Sequence, residues 1–209
     1  MKKKVAFLGA GSFSDGVLAW LDTNKYEFVG YFDDKDIEYY RNHKVFGKIS
    51  QVLSHLENGT IDGVFVTIGD NAKRREIFEL VAKNHYEKII NIISPRAYIS
   101  NLDSIQGRGI FIGFSAFIGA DAKISDNCII NTAAIVEHHT RVEKHCNIAP
   151  RATVNGICNI GQEVYLGSAS TVIQMISIAD KTTVGAGAVV VKNIEEAGTY
   201  VGVPAKKIK

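Results

Sequence analysis

Residues 111–148 read FIGFSAFIGADAKISDNCIINTAAIVEHHTRVEKHCNI, and within this stretch an aliphatic residue falls at every sixth position. The series continues as Ile112, Ile118, Ile124, Ile130, Val136, Val142, Ile148, Val154, Ile160, Leu166, Val172, Ile178, Val184 and Val190. Neither a 3.6-residue helix nor a two-residue strand sustains a period of six, so the spacing belongs to a larger repeating unit. Two places before each aliphatic the residue is mostly small: Ala116, Ala122, Cys128, Ala134, Thr140, Cys146, Ala152, Cys158, Ser170, Ala188. This is the hexapeptide pattern of a parallel β-helix. Three short strands make one triangular coil, branched aliphatics fill the interior, and small residues fit the tight corners. Eighteen residues per coil give roughly four full turns over residues 112–190, stacked at about 4.8 Å.

Upstream the pattern is of another kind. Val5-Ala6-Phe7-Leu8 reads as a strand, followed by Gly9-Ala10-Gly11-Ser12 and a helical spacing through Val17, Leu18 and Leu21. A second strand (residues 27–32) ends at Asp33-Asp34, a short helix covers 49–56, and a third strand (62–68) ends at Gly69-Asp70-Asn71. A charged amphipathic helix (74–84) and another strand (89–93) follow. Strands alternating with helices predict a parallel sheet with covered faces, and the first strand–turn–helix is Rossmann-like. Pro95 marks the boundary, giving an α/β domain over 1–94 and a β-helix domain over 95–209. Tyr98-Ile99 and Asp103-Ser104-Ile105 read as degenerate starter coils. The tail from Asn193 breaks the repeat, and Gly198, Gly202 and Pro204 argue against helix or strand in its second half.

Bulk properties narrow the functional classes. Net charge is +2 with basic residues scattered, which argues against nucleic acid as a main partner. No apolar run reaches the ~18 residues a membrane span requires, and the first residues run directly into a strand pattern without a signal-peptide core, so a cytoplasmic location is expected. Three cysteines, all at the small position of the repeat, predict buried thiols and no disulfide framework.

Two places can carry chemistry. The Gly9–Ser12 turn lacks the third glycine of a full dinucleotide fingerprint, since Ser14 stands there, yet its backbone N–H groups at a helix start suit a phosphate. Asp33 and Asp34 are placed for ribose or base hydroxyls. A turn with no ligand is the alternative. In the repeat, His138 and His139 follow the inward Val136 near a corner and should face outward. An imidazole there is either a general base or merely solvated. Metal ligation is the weaker reading, because adjacent residues rarely face one ion and no third ligand has suitable spacing.

Four stretches together resemble the sialic acid O-acetyltransferase group of hexapeptide-repeat sugar acyltransferases, which includes the N-acetyltransferases of UDP-4-amino-4,6-dideoxy sugars of the bacillosamine type. They are Gly9-Ala10-Gly11 with Phe32-Asp33-Asp34; Ile68-Gly69-Asp70-Asn71; Asn131-Thr132-Ala133-Ala134-Ile135-Val136-Glu137-His138; and Gly202-Val203-Pro204-Ala205-Lys206. The resemblance covers essentially the whole chain and implies a left-handed β-helix behind a nucleotide-sugar-binding domain. It implies that His138 is the general base for attack on the acetyl-CoA thioester, and that Gly11, Ser12, Phe13, Asp33, Asp34 and Gly69 hold the nucleotide. It further implies a homotrimer with acetyl-CoA between adjacent β-helices, near Asn147, Ser168 and Ala186, and no metal.

The chain departs from the family at three points. The residue after the catalytic histidine is commonly acidic, and here it is His139, so Glu137 or a carboxylate from elsewhere is left to orient the imidazole. Asn147 stands where the family has a second histidine, and Ser168 and Ala186 fall on positions whose backbone meets the cofactor. Lys206, Lys207 and Lys209 either reach CoA phosphates or cap the last coil.

The expected activity is acetyl-CoA-dependent N-acetylation of a nucleotide-linked 4-amino-4,6-dideoxy sugar, serving surface glycan biosynthesis. O-acetylation of sialic acid or CMP-sialic acid is the near alternative. A metal-dependent β-helix hydratase and a non-catalytic sugar-nucleotide-binding scaffold are the alternatives of other classes.

Overall fold

The four-residue apolar run predicted to open the chain is buried on both faces. Val5, Ala6, Phe7 and Leu8 are all wholly inaccessible, as expected for the central strand of a covered parallel sheet. In the computed structural model, which describes residues 1–209, the chain divides into two units, Met1–Ile92 and Ile93–Lys209.

The first unit is built on β1 (Lys3–Leu8), flanked by β2 (Tyr26–Phe32) and β3 (Gly63–Val66), in the order β2-β1-β3 and all parallel. Leu8 pairs with Phe32 on one side and Val66 on the other, so the three strands end together. The chain passes from β1 to one neighbour and then to the other, which makes the carboxyl end of β1 a topological switch point where such sheets bind ligands. Between the strands lie α1 (Ser12–Leu18) and α2 (Val52–Glu57), and α3 (Asn71–His85) follows β3. One face of the sheet packs on Val52, Leu56, Ile77, Phe78 and Val81, while Phe7, Phe28, Tyr31 and Phe65 form an aromatic cluster. The strand expected over 89–93 is cut short. Ile89 makes an isolated bridge to Val64 and Ile90 N donates to Val64 O, but by Ser94 the chain has joined the rungs of the next unit, donating to Ile112 O.

The second unit is a parallel β-helix of two-residue strands, each hydrogen-bonded to the strand one coil later. Val136 pairs with Val154 and Val154 with Val172, eighteen residues apart each time. The strands fall into three stacks: a six-stranded sheet containing Ile135–Val136, a four-stranded sheet containing Arg141–Val142, and an eight-stranded sheet containing Asn147–Ile148. All fourteen aliphatics of the series, with the alanines and cysteines before them, form one continuous core, and Thr140 and Ser170 at the same position are wholly buried. Cys128, Cys146 and Cys158 are free and wholly buried, and burial pushes the Cys158 thiol up.

The starter segments are real rungs. Tyr98–Ile99 pairs with Phe117–Ile118, and Ile105 bridges Ile124. Their offset is one residue longer than a coil, which is why the period fails before Ile112: the corner around Gly107 takes in an extra residue. The tail corrects the expectation of irregular structure. Thr199–Val201 extends the eight-stranded sheet beside Thr183–Val184, and Lys206–Lys207 turns back on it antiparallel. The edge left open by Thr183–Val184 offers unpaired backbone groups, and the glycine turn at Gly202 (φ 97°) lets one short hairpin cap them.

Each corner contains one residue in the left-handed region, from Ser115 (φ 54°) through Asp121, Asn127, Ala133, His139 and onward to Gly187 (φ 66°). Only the last is glycine. The coil imposes this conformation on residues that ordinarily avoid it, including the β-branched Ile157 (φ 62°).

Candidate active site

At the carboxyl ends of β1, β2 and β3 the structure opens a cavity of about 610 Å³, lined among others by Gly11, Ser12, Phe13, Asp34, Gly69 and Lys73. All six sequence-predicted nucleotide residues, Asp33 included, meet there. The two acidic residues, however, are engaged by the backbone. Asp33 is buried, its Oδ2 accepting from Ala10 N (2.6 Å) and its Oδ1 from Lys35 N (2.8 Å). It therefore pins the glycine turn to the end of β2. Asp34 Oδ1 accepts from Ile49 N at 3.1 Å, and Lys48 Nζ donates to Asp34 O.

The glycines of this loop do different work. At Gly9 (φ 111°) an added Cβ would fall 2.5 Å from Ile68 Cδ1, so that glycine serves the fold. At Gly11 and Gly69 a Cβ would meet nothing within 4 Å, so the protein's own packing does not require glycine at either place. What their missing Cβ atoms leave open is cavity. Ser14, in place of the third fingerprint glycine, is wholly buried. Its hydroxyl donates to Gly11 O (2.6 Å) and lies 3.5 Å from the Tyr31 hydroxyl, whose pKa burial raises.

Three residues that the sequence reading passed over shape the same rim. Thr67 Oγ1 donates to Gly9 O at 2.6 Å. Arg74, read from the sequence as an amphipathic-helix charge, is 1% exposed; its guanidinium donates to Gly69 O (3.1 Å) and Asn71 Oδ1 (2.8 Å), fixing the loop after β3. Lys73 carries its ammonium beside Glu76 (3.1 Å). A buried arginine bonded to main-chain carbonyls has no sequence signature. A threonine closing a strand has little more.

In the β-helix, His138 and His139 occupy the corner between the six-stranded and four-stranded sheets and both are exposed. His139 adopts φ 58°, and this kink brings two consecutive rings together with Nδ1 to Nδ1 at 3.0 Å. His139 Nε2 lies 3.6 Å from Asp121 Oδ2, a residue one coil earlier on the same corner. Glu137 does not reach the imidazole; its carboxylate accepts from His138 N at 3.3 Å. His138 Nε2 makes no hydrogen bond to the chain. Space for its ring comes from the next coil, where a Cβ at Gly156 would fall 2.6 Å from both Cε1 and Nε2. Gly156 has no left-handed φ, and the three atoms nearest to an added Cβ all belong to the His138 ring.

The expected cofactor positions lie elsewhere on the same prism. Ser168 and Ala186 are exposed and stack on the corner between the eight-stranded and six-stranded sheets, one coil apart. Asn147 sits in the eight-stranded sheet, 8% exposed, with its Oδ1 buried and without a hydrogen-bond partner. Within one chain, then, His138 and the Ser168–Ala186 pair stand on different edges. No three His, Cys, Asp or Glu side chains gather in metal-ligand fashion. No helix is long and apolar enough to cross a membrane.

Residues 4–81 match the family described as the PglD N-terminal domain. Over its whole length the chain is similar to the acetyltransferase domain of PglB from Neisseria gonorrhoeae FA1090, solved in complex with acetyl coenzyme A: 30% identity, TM-score 0.90, 100% of both chains covered. PerB from Caulobacter crescentus, solved with CoA and GDP-perosamine, is 30% identical with TM-score 0.87, covering 99% of this chain and 97% of that one. A curated relative, an acyl-[acyl-carrier-protein]–UDP-N-acetylglucosamine O-acyltransferase of Aliarcobacter butzleri, is 27% identical over 139 residues, or 62% of this chain. The chain spans 24% and 48% of the length of the curated relatives it matches. With the β-helix, the three-stranded parallel unit and full-length similarity to two solved acetyltransferases together, the chain belongs to the family of left-handed β-helix sugar acetyltransferases that carry a PglD-type N-terminal domain.

Proposed function

We propose that the protein transfers the acetyl group of acetyl-CoA to the 4-amino group of a nucleotide-linked 4-amino-4,6-dideoxy sugar, with His138 as general base. The observation that carries this reading is the state of the His138 ring: Nδ1 is held by His139 at 3.0 Å, while Nε2 is unbonded and the ring rests over Gly156, whose missing side chain gives it room. An imidazole fixed at one nitrogen and open at the other is arranged to take a proton. The amine attacks the thioester carbonyl and His138 Nε2 accepts its proton. Collapse of the tetrahedral intermediate expels the CoA thiolate, with no covalent bond to the protein. Positioning of the two reactants contributes as much as the base does.

The cavity of the first unit takes the nucleotide. Gly11 and Gly69 let the ligand approach main chain, and Lys73 and Lys35 supply positive charge for a diphosphate. Acetyl-CoA that meets Ser168 and Ala186 as well as His138 must touch two edges of the prism, which lie on different corners of one copy. A homotrimer, with each groove formed by two copies, satisfies both. PerB, solved with CoA and GDP-perosamine and 30% identical over essentially the whole chain, supports the nucleotide-amino-sugar reading over the sialic acid one.

The test is to incubate the protein with acetyl-CoA and a panel of UDP-, dTDP-, GDP- and CMP-linked sugars, following free thiol. Thiol release with a 4-amino sugar is expected, and His138→Ala should lower turnover by ~10²–10⁴-fold with the fold intact. Silence across every amino sugar, or a His138→Ala rate within a few-fold of wild type, overturns the assignment.

A further inference from the structure

We infer that Asp121, acting through His139, is the positioning residue that sets the tautomer of His138. The inference rests on the reading of His138 as base and supplies the carboxylate that its neighbour lacks. The Nδ1–Nδ1 contact of 3.0 Å leaves room for one proton between the rings, so one nitrogen donates and the other accepts. Nothing in that contact alone decides which.

The decision falls to the far side of His139. Its Nε2 stands 3.6 Å from Asp121 Oδ2, and an ionised carboxylate only accepts. Asp121 therefore favours the form of His139 with its proton on Nε2. That form has a lone pair at Nδ1, which accepts the Nδ1 proton of His138 and leaves His138 Nε2 unprotonated and able to act as base. The opposite arrangement sets the His139 Nε2 lone pair against the carboxylate and puts the His138 proton on Nε2, where it blocks the reaction. The wrong tautomer of a catalytic histidine is costly even when its position is intact.

The other carboxylate of this corner is engaged differently. Glu137 bonds the main-chain N of His138, not its ring. The alignment of Asp121 with His139 comes from the coil. The two are eighteen residues apart, both left-handed (φ 56° and 58°), and His139 N donates to Ala120 O at 2.9 Å. At 3.6 Å, with side chains 59% and 67% exposed, the ion pair adds little to stability. Its effect lies in the choice between two nearly equal proton placements, where a small bias suffices. When His138 takes up the substrate proton, the resulting positive charge also finds Asp121 across the second ring.

A double-mutant cycle tests this. Asp121→Asn and His139→Asp are made singly and together in the full chain, and kcat and KM are measured with the best amino-sugar substrate. The ring tautomer of His138 is read from imidazole ¹⁵N shifts. Asp121→Asn is expected to lower kcat by about 10-fold, with the KM for acetyl-CoA unchanged, and to enrich the Nε2-protonated His138. Asp121→Glu, which keeps the carboxylate, restores kcat. His139→Asp places a carboxylate directly on His138 Nδ1, and in that background the Asp121→Asn loss disappears. An equal loss in both backgrounds, or an unchanged His138 tautomer in Asp121→Asn, overturns the inference. If instead His138→Ala keeps wild-type turnover, it is the general-base reading that fails. The ¹⁵N shifts then still decide whether Asp121 sets the tautomer.

Discussion

In the first unit, Asp33, Thr67 and Arg74 commit their polar atoms to the main chain of the loops that line the cavity. In the β-helix, the corner residues Asp121, His138 and His139 hold nothing of the fold by their side chains; main-chain rungs and an aliphatic core do that work. One region builds its site from structural residues, and the other displays its site on a scaffold that is already complete. Substitutions should therefore separate activity from stability cleanly in the β-helix and poorly around the cavity rim.

Three substitutions break or sharpen that contrast. The largest effect is expected from Gly156→Ala. Its φ tolerates alanine, but the new methyl occupies the place of the His138 ring and forces it aside. A displacement of that size should lower kcat by about 10²-fold, while thermal unfolding stays close to wild type. Loss of both together would show that this corner is structural after all. Gly69→Ala comes next. No protein atom lies within 4 Å of the added Cβ, so the fold should persist while the nucleotide sugar is crowded. A KM for the sugar donor raised about 10-fold, about 1.4 kcal/mol, with KM for acetyl-CoA unchanged, would place the nucleotide in this cavity. An unchanged KM would place it elsewhere. The smallest effect is expected from Ile157→Asn. Ile157 is exposed and left-handed, and asparagine adopts that conformation more readily, so a gain of about 1 kcal/mol is expected. In a chain of this size that is a rise in melting temperature of about 2–4 °C. A fall would mean that the exposed Ile157 side chain is covered in the assembled protein.

The β-helix was legible because its signal is redundant. Each inward aliphatic repeats the evidence of the last, and the reading failed only where the corner near Gly107 takes in one residue and where the tail caps an open edge. The first unit was legible as strands and helices through Val5–Leu8 and the glycine turn. The roles of its polar residues were hidden. Asp33 and Asp34 line the cavity as expected, but their bonds to main chain had no signature in the sequence, while Arg74 looked like a solvated charge and is buried. Around His138 the local residues were visible, but Asp121 and Gly156 sit one coil to either side. Contacts eighteen residues apart emerge only when the coil length is carried through to the outward positions as well as the inward ones. The meeting of two adjacent imidazoles was invisible for a conformational reason. Extended neighbours point apart, and only the left-handed kink at His139 turns them together.

That kink recurs at every corner from Ser115 to Gly187, and it defines the step by which such a protein can change its length. Duplicating or deleting one whole coil beyond residues 121–156 leaves the His138 corner with the same neighbours above and below, so the chemistry at that address survives a change in the height of the tower. A gain of one residue has no such immunity unless it is absorbed within a single bend, as it is near Gly107. The heritable unit of this half of the molecule is thus the coil, not the residue.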